Sequence, residues 1–352
     1  MAEVFRRPQL ASELAERLLN PGVLDEGLRS GLFLAGMRRT GKTTFLRTDL
    51  GPELEARGAV VVYVDLWSDT RANPALLVQA AVRQTLTDLA TPSSPLLARL
   101  RRLKGVDLGG LGFHFGFQLE QLGERGGTTL AEAFTQVVDQ SRADVVLIVD
   151  EVQQAISSEE GHQMLLALKA ARDAVNPRPG TPGHFLLLGT GSHRALVSEL
   201  TARRHQAFAG ATSLPYPLLD QSYVRHVLQR LAQEGIAPPP SEAAAWAAFQ
   251  ALGHRPEEFL RALAQLRSSA GAGGDLGPDQ LLPVIATTLR GAAADLELLK
   301  VEQIGGLATA IFDRVAASDG PARGLFSGEA AAAFSAILGR PVRVEEIQPV
   351  VN

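Results

Sequence analysis

Residues 31–47 read GLFLAGMRRTGKTTFLR, a stretch that contains the pattern G-x-x-x-x-G-K-[ST]. The apolar run at 32–35 predicts a short buried strand, and the residues from Thr43 onward predict the start of a helix. A strand, a glycine-rich loop and a helix in this order form a phosphate-binding loop. A glycine-rich turn that matched the pattern by chance would not need a strand before it and a helix after it. The stretch therefore predicts a polyphosphate site after the first core strand.

The pattern assigns a role to each of its fixed positions. Gly36 and Gly41 allow backbone N–H groups to turn inward around phosphate oxygens, with no side chain in the way. Lys42 is expected to reach the β and γ phosphates, and the Thr43 hydroxyl to bind Mg²⁺. Thr44 is expected to support the start of the helix. The predicted nucleotide contacts are Gly36, Arg39, Thr40, Gly41, Lys42, Thr43 and Thr44.

A second apolar run ends in two acidic residues. Residues 144–151 read DVVLIVDE, which predicts a buried strand with Asp150 and Glu151 at its carboxyl end. Asp150 is placed there to hold Mg²⁺, directly or through water. Glu151 can orient and deprotonate an attacking water molecule. Such a run is common by itself, but downstream of a phosphate loop it predicts the second part of a nucleotide site.

Polar residues also follow the strand predicted at 185–189, where the sequence continues TGSHR. A polar side chain here would lie between the γ phosphate and the water held by Glu151. We favour Thr190 for this position and place Ser192 second. Alternatively, the segment is an ordinary strand-to-helix turn in which Ser192 caps the helix.

Composition indicates a folded protein and excludes several classes. A chain of 352 residues is long enough for a domain core and one or two smaller units. Its residues are 45% hydrophobic and 20% charged, which is typical of a folded protein. A net charge of −4 gives no overall attraction to nucleic acid or to an anionic membrane. The chain has no cysteine for disulfides or thiolate metal sites and no apolar run of about 18 residues, and its first residues are not expected to be a signal peptide. We therefore expect a cytoplasmic protein without a membrane partner.

The rest of the chain divides at a few clear points. The stretch AVVVYVDLW at 59–67 predicts a second strand that is buried on both faces. Alternating apolar residues predict an inserted β-hairpin near 105–120, which either covers the edge of the domain or contacts a partner. The core ends at GIAPPPS, 235–241, because three prolines cannot continue a helix. The remainder is predicted to be helical, with 281–315 as one long helix or two.

The segments GMRRTGKTT, VVLIVDEVQ, LLLGTGSHR and SLPYPLL, followed by a helical tail, resemble the AAA+ superfamily. More narrowly, they are similar to bacterial and archaeal ATPases near the STAND class. The resemblance implies an α/β fold with a three-layer P-loop core and a parallel sheet of order 5-1-4-3-2. The strand that ends at Thr190 would lie between the phosphate-loop strand and the Asp150 strand. The implied domains are a core at 1–234, an all-helical lid at 235–302 and a partial winged-helix-like module at 303–352.

The resemblance also assigns roles to arginines. Arg255, in GHRP at the start of a lid helix, matches a second sensor that reaches the γ phosphate. Arg203 or Arg204 lies where the superfamily keeps an arginine finger, which is offered to the site of a neighbouring subunit. Such a finger implies a homo-oligomer whose sites are completed in trans. The alternative for all three residues is a solvated position at a helix end.

The expected function is binding and hydrolysis of Mg-ATP to drive conformational change or assembly. A second hypothesis is a slow nucleotide-dependent switch or scaffold that exposes a surface to a protein partner. A third is a DNA-associated motor or loader. It ranks last because residues 303–352 carry four Arg against five acidic residues, and DNA affinity depends on neutralising phosphates.

Overall fold

The computed structural model describes most of the chain. It leaves out residues 1–3, 70, 105–112, 116–121, 123–125, 193–196, 198, 199, 202–205, 236–238, 271–275, 319–321 and 352. The chain divides into two compact units, Met1–Tyr223 and Val224–Asn352, and each is described by itself. Among the described residues, no helix combines the length and the apolar character needed to cross a membrane.

The first unit is built on a five-stranded sheet in which every pair of neighbouring strands is parallel. The strands are β1 (Leu32–Ala35), β2 (Val60–Asp65), β3 (Val145–Asp150), β4 (Phe185–Gly191) and β5 (Thr212–Pro215). Their order is β2-β3-β4-β1-β5, which is the expected order read from the opposite edge. The predicted α/β class and strand order are therefore confirmed, including the position of β4 between β1 and β3.

Helices cover this sheet on both sides. They are α1 (Pro8–Leu19), α2 (Lys42–Phe45), α3 (Gly51–Ala56), α4 (Pro74–Ala90), α5 (Pro95–Lys104), α6 (Leu130–Ser141) and α7 (Glu159–Val175). A π-helical turn, Leu46–Leu50, joins α2 to α3, and 3₁₀ turns span Val23–Ser30 and Val152–Ala155. The helix after the phosphate loop therefore starts at Lys42, one residue earlier than the sequence indicated.

The side chains of β3 show how the three layers are held together. Val145, Leu147 and Val149 belong to a hydrophobic cluster that contains residues of α4, α6 and α7. Val146 and Ile148 belong to a second cluster, with residues of α1 and α3. Successive side chains of a strand point to opposite faces of the sheet. A strand buried on both faces is fixed in position, and so is the acidic pair at its carboxyl end.

The strand β2 differs from the prediction. We expected both of its faces to be buried, but buried and half-buried residues alternate along Val60–Asp65. The strand lies at the edge of the sheet, where Val61 and Tyr63 only partly pack against the cluster formed with α1 and α3. The aromatic ring of Tyr63 is consequently half-buried beside the end of β3.

The predicted hairpin near 105–120 lies outside the described residues except at positions 113–115. There Phe113 is buried, and its backbone N–H donates to the carbonyl of Leu89 at 3.0 Å. These residues contribute to the cluster that contains α4.

The helices of the second unit continue from α8 (Gln221–Gln233), which spans the boundary between the units. They are α9 (Glu242–Ala251), α10 (Pro256–Ala270), α11 (Pro278–Ile304), α12 (Gly306–Ala316), α13 (Gly328–Leu338) and α14 (Val344–Val351). The stretch 281–315 forms two helices, because Gly305 has a φ of +128° that interrupts helical geometry. The described part of 303–352 contains helices and no strand. The winged-helix likeness and the domain limits at 234 and 302 stay predictions.

Gly161, near the start of α7, provides a test of how tightly the turn after β3 is packed. A Cβ atom there would lie 2.2 Å from the carbonyl oxygen of Ala155. We expect Gly161→Ala to lower the free energy of unfolding by about 1–3 kcal/mol, because backbone must move to relieve the contact. Urea denaturation measures the change. Gly22→Ala is the control, since a Cβ at Gly22 meets nothing within 4 Å. Equal stability of the two variants would contradict the tight contact.

Candidate functional site

The phosphate loop turns between β1 and α2 around the side chain of Lys42. The Lys42 Nζ donates to the carbonyl oxygens of Gly36 and Met37, each at 2.7 Å. Gly41 has a φ of +87°, a conformation that favours glycine. A Cβ on Gly36 would lie 2.9 Å from the Cβ of Tyr216. The shape of the loop therefore accounts for both glycines of the sequence pattern.

Lys42 is a largely buried cation among acidic groups. Only 5% of the surface of Lys42 is exposed to solvent. Burial lowers the pKa of Lys42, whereas the negative charges of Glu151 and Asp150 oppose that shift. An anionic phosphate at this loop would form a charge-assisted hydrogen bond with the ammonium group.

The carboxylate of Asp150 is the meeting point of the site. Asp150 is the last residue of β3 and is fully buried. Its Oδ2 accepts hydrogen bonds from Thr43 Oγ1 at 2.6 Å and from the Tyr63 hydroxyl at 3.1 Å. Its Oδ1 accepts from Thr190 Oγ1 and from the backbone N–H of Glu151, the latter at 3.1 Å. Four donors thus compensate for the lost hydration of this carboxylate.

Tyr63 enters this group from β2. Burial raises the pKa of the Tyr63 hydroxyl, and the nearby charge of Asp150 raises it further. The guanidinium of Arg47 lies 5.2 Å from the centre of the Tyr63 ring. The hydroxyl therefore remains protonated and acts as a donor to Asp150.

Glu151 follows Asp150 directly but lies in a different environment. Its φ of +57° is uncommon for a residue with a side chain, and it turns the chain out of the sheet. The Oε2 of Glu151 accepts from Ser192 Oγ at 3.0 Å and from Gln153 Nε2. Gln153 Nε2 also donates to Ser192 Oγ at 3.1 Å. The predicted base thus belongs to a polar group formed by Glu151, Gln153 and Ser192.

The phosphate loop contacts the same polar group through Arg38. The Nε of Arg38 donates to Ser192 Oγ at 3.2 Å, and its guanidinium lies 4.4 Å from the centre of the Trp67 ring. A third carboxylate, Asp65, ends β2 opposite Asp150. Burial raises the pKa of Asp65, and the charges of Asp150 and Glu151 add to this effect. Asp65, Asp150 and Glu151 therefore lie together at the carboxyl ends of β2 and β3.

The chain before α1 is tied to the helical segment that follows the phosphate loop. Arg6 forms an ion pair with the buried Asp49, which also accepts from the Arg7 backbone N–H at 3.2 Å. Arg7 Nη1 donates to the carbonyl of Pro217 at 2.8 Å and to the Tyr216 hydroxyl at 3.2 Å. These contacts fix the first residues of the unit against the chain that leaves β5.

The structure brings most of the predicted site residues together. The loop residues and the acidic pair meet at the carboxyl ends of β1, β3 and β4. Of the two residues considered beyond β4, Thr190 contacts Asp150, whereas Ser192 contacts Glu151. The residues in this group are Gly36, Gly41, Lys42, Thr43, Asp150, Glu151, Thr190 and Ser192. Among the other predicted contacts, Thr40 is buried with its hydroxyl donating to the Met37 carbonyl, whereas Arg39 and Thr44 are exposed.

Of the three predicted arginines, the structure describes only Arg255. Arg255 belongs to the second unit, where it lines a cavity of about 270 Å³ together with Glu258, Arg290 and Glu297. Arg203 and Arg204 lie outside the described residues.

Sequence reasoning missed two residues that touch the acidic pair. Tyr63 interrupts an apolar run with a polar hydroxyl, and Gln153 follows the acidic pair in DEVQQ. Both positions offered a signal, namely a hydrogen-bonding group in a segment with buried neighbours. Their partners could not be read from sequence spacing, because Tyr63 is 87 positions from Asp150 and Gln153 is 39 positions from Ser192.

The oxygen atoms around Asp150 fit a hard divalent cation. Mg²⁺ prefers oxygen ligands, typically one or two protein groups together with phosphate oxygens and water. The Asp150 carboxylate and the Thr43 hydroxyl are such groups, and they are already in contact beside the phosphate loop. These two residues would hold the ion.

Comparison with known proteins agrees with this geometry. Residues 26–197 match the family model described as an AAA domain. The ORC2 protein of Aeropyrum pernix, in its ADPNP–ADP complexes, is similar with a TM-score of 0.54 and 15% identity. That similarity covers 99% of this chain and 85% of the other. The ADP form of the same protein gives a TM-score of 0.53 at 15% identity, over 100% and 85%.

At 15% identity these two likenesses concern the fold alone. Comparison with curated protein sequences found no match. The family match covers β1 to β4 and with them the phosphate loop and the acidic pair. Residues 26–197 therefore match an AAA domain, and the first unit has the parallel α/β fold expected for a P-loop core.

Proposed function

We propose that the protein binds Mg-ATP at the phosphate loop and hydrolyses it, and that hydrolysis drives a change of conformation or assembly. One observation carries the proposal: Thr43 of the loop helix lies 2.6 Å from Asp150 at the end of β3. The predicted phosphate loop and the acidic pair thus meet at one point. An AAA domain with this arrangement is suited to phosphoryl transfer to water.

Each residue of the site would have a role that follows from its position. Lys42 would neutralise charge on the β and γ phosphates, while backbone N–H groups of the loop bind their oxygens. Mg²⁺ bound with the nucleotide would neutralise further charge and orient the γ phosphate. Thr190 and Tyr63 would keep the Asp150 carboxylate oriented toward Thr43. Catalysis of this kind is mainly positioning and electrostatic stabilisation.

Glu151 is the residue that would act on water. Its side chain is held at the edge of the sheet by Gln153 and Ser192. From there the carboxylate would orient a water molecule toward the γ phosphate and accept its proton. Both of these donors, Gln153 and Ser192, contact the same carboxylate oxygen, Oε2.

Lys42→Ala tests nucleotide binding. Removing a charged donor from buried phosphate contacts should weaken ATP binding about 100-fold or more. Isothermal titration calorimetry with Mg-ATP measures the dissociation constant. Lys169→Ala is the matched control, since Lys169 lies on α7 and not in the loop. This variant should bind ATP like the wild type. Unchanged affinity in Lys42→Ala would contradict the assignment of the loop.

Glu151→Gln tests hydrolysis separately from binding. A general base contributes about 10²–10⁴ in rate, so kcat should fall by that order while ATP affinity is retained. Phosphate release at saturating Mg-ATP measures kcat. Glu160→Gln, an exposed change in the first turn of α7, serves as the control and should keep normal turnover. Normal turnover in Glu151→Gln would remove the role of Glu151 as the base.

Completion of the site by a second copy of the chain follows from the superfamily rather than from the described residues. If Arg203 or Arg204 serves a neighbour, the ATPase rate per subunit should rise steeply with protein concentration. Arg203→Ala and Arg204→Ala should suppress that rise, because an arginine finger is worth about 10³ or more in rate. A rate per subunit that does not vary with concentration would exclude completion in trans.

The same assay with duplex DNA separates the remaining alternatives. We expect no stimulation at moderate salt, because the chain has a net charge of −4. Strong stimulation would instead favour the DNA-associated role. ATP-dependent assembly with turnover far below one per second would favour the switch or scaffold.

A further inference from the structure

Three polar side chains, two that follow β3 and one that follows β4, form a closed set of hydrogen bonds. Gln153 Nε2 donates both to Glu151 Oε2 and to Ser192 Oγ, and Ser192 Oγ donates to the same Glu151 oxygen. Gln153 lies in the 3₁₀ turn Val152–Ala155, two residues beyond Glu151. The turn therefore presents an amide directly to the carboxylate of the proposed base.

Counting donors and acceptors shows that this arrangement is saturated. An amide NH₂ has two hydrogens, and both are used, one on Glu151 and one on Ser192. A serine hydroxyl has one hydrogen and two lone pairs. Ser192 donates to Glu151 and accepts from Gln153 and from Arg38. One oxygen of Glu151 is consequently held by two donors that are themselves fixed by further bonds.

The oxygen atom of the Gln153 amide makes no stabilising hydrogen bond among the described residues. Gln153 is only 4% exposed, and its Oε1 has no hydrogen-bond partner among the described residues. A buried polar atom without a partner costs about 1–3 kcal/mol. Methionine, with a similar length and no amide, would avoid that cost. The part of the glutamine that does have partners is its NH₂ group, and one of these partners is the carboxylate of Glu151.

The space around the amide is shaped to it. A Cβ on Gly191 would lie 2.6 Å from Gln153 Oε1 and 2.4 Å from a methyl carbon of Val197. Gly191 is the last residue of β4 and precedes Ser192. The end of β4 thus brings Ser192 to the amide while leaving room for its oxygen.

We propose that Gln153 is a positioning residue, which orients the carboxylate of Glu151 for attack by water on the γ phosphate. The inference rests on the proposed ATP hydrolysis and names a further residue for that reaction. Gln153 acts on Glu151 and makes no contact with the phosphate loop among the hydrogen bonds of the described residues. Its loss should accordingly affect the chemical step and not nucleotide affinity.

The test is Gln153→Met, assayed in the full chain for kcat, KM and thermal stability. We expect kcat to fall about 10- to 100-fold, because misplacing a reacting group by about 1 Å has an effect of this size. KM should stay within about twofold, since no nucleotide contact is lost, and the melting temperature should change little, since loss of the two bonds donated by the amide is offset by removal of its unsatisfied oxygen. An unchanged kcat would overturn the proposal. So would a fall in kcat that accompanies an equal loss of ATP binding or of stability.

Gln154→Met is the matched control. Gln154 is the next residue in the same turn, and it lines a separate cleft with Arg71 and Asn73. This variant should keep the wild-type kcat. If it loses as much activity as Gln153→Met, the effect belongs to the turn in general and the proposal fails.

Combining Gln153→Met with Glu151→Gln shows whether Gln153 acts through Glu151. Positioning of the base predicts that Gln153→Met lowers kcat in the wild type but adds nothing once Glu151 is replaced. A further fall in the double variant would show another route and overturn the proposal. Ser192→Ala, which removes the second donor to Glu151 Oε2, should lower kcat without raising KM. Failure of the proposed function itself is distinct, because the wild type would then show no turnover.

Discussion

The buried carboxylate of Asp150 is the group on which the candidate site at the carboxyl ends of the strands depends. A carboxylate without access to water destabilises a fold by several kcal/mol unless hydrogen bonds replace its hydration. Here the donors come from three separate elements, through Thr43 at the start of α2, Tyr63 on β2 and Thr190 on β4. Satisfying one carboxylate therefore requires the loop helix and two strands to meet at the end of β3.

The strand order makes that meeting possible. β3 lies between β2 and β4, so Tyr63 and Thr190 approach Asp150 from its two neighbouring strands. β1 lies beyond β4, and the loop that follows β1 carries Thr43 across to the same carboxylate. Open parallel sheets place ligands at the carboxyl ends of their strands, where the direction of the connections changes. The candidate site of this unit lies at those carboxyl ends.

Asp150 and Glu151 are adjacent in sequence but lie in different environments. Asp150 ends the strand and is enclosed by hydroxyl donors, whereas Glu151 leaves the sheet with a φ of +57°. A non-glycine residue in this conformation costs of order 1 kcal/mol or more, and such strain is found most often at functional sites. Two neighbouring acids thus receive separate environments, which is how one site can support a metal ligand and a base.

The sequence by itself determined the parts of this protein that depend on contiguous residues. The loop from Gly36 to Lys42 could be predicted as a phosphate site because phosphate recognition uses backbone groups at fixed spacing within one segment. The apolar runs predicted the core strands, and the acidic pair after β3 was placed correctly at a strand end. The order of the strands came from the family resemblance, because spacing alone does not decide which strands are neighbours.

Only the tertiary structure decided how the side chains of the site are paired. The half-buried state of Tyr63 depends on β2 being an edge strand, which its own residues do not show. The bond between Thr43 and Asp150 joins residues 107 positions apart, and the contacts of Gln153 and Thr190 likewise cross between elements. Hydrogen bonds act over about 3 Å in space. The number of residues between two side chains therefore does not show whether they are hydrogen-bonded. Their positions in the folded sheet decide it.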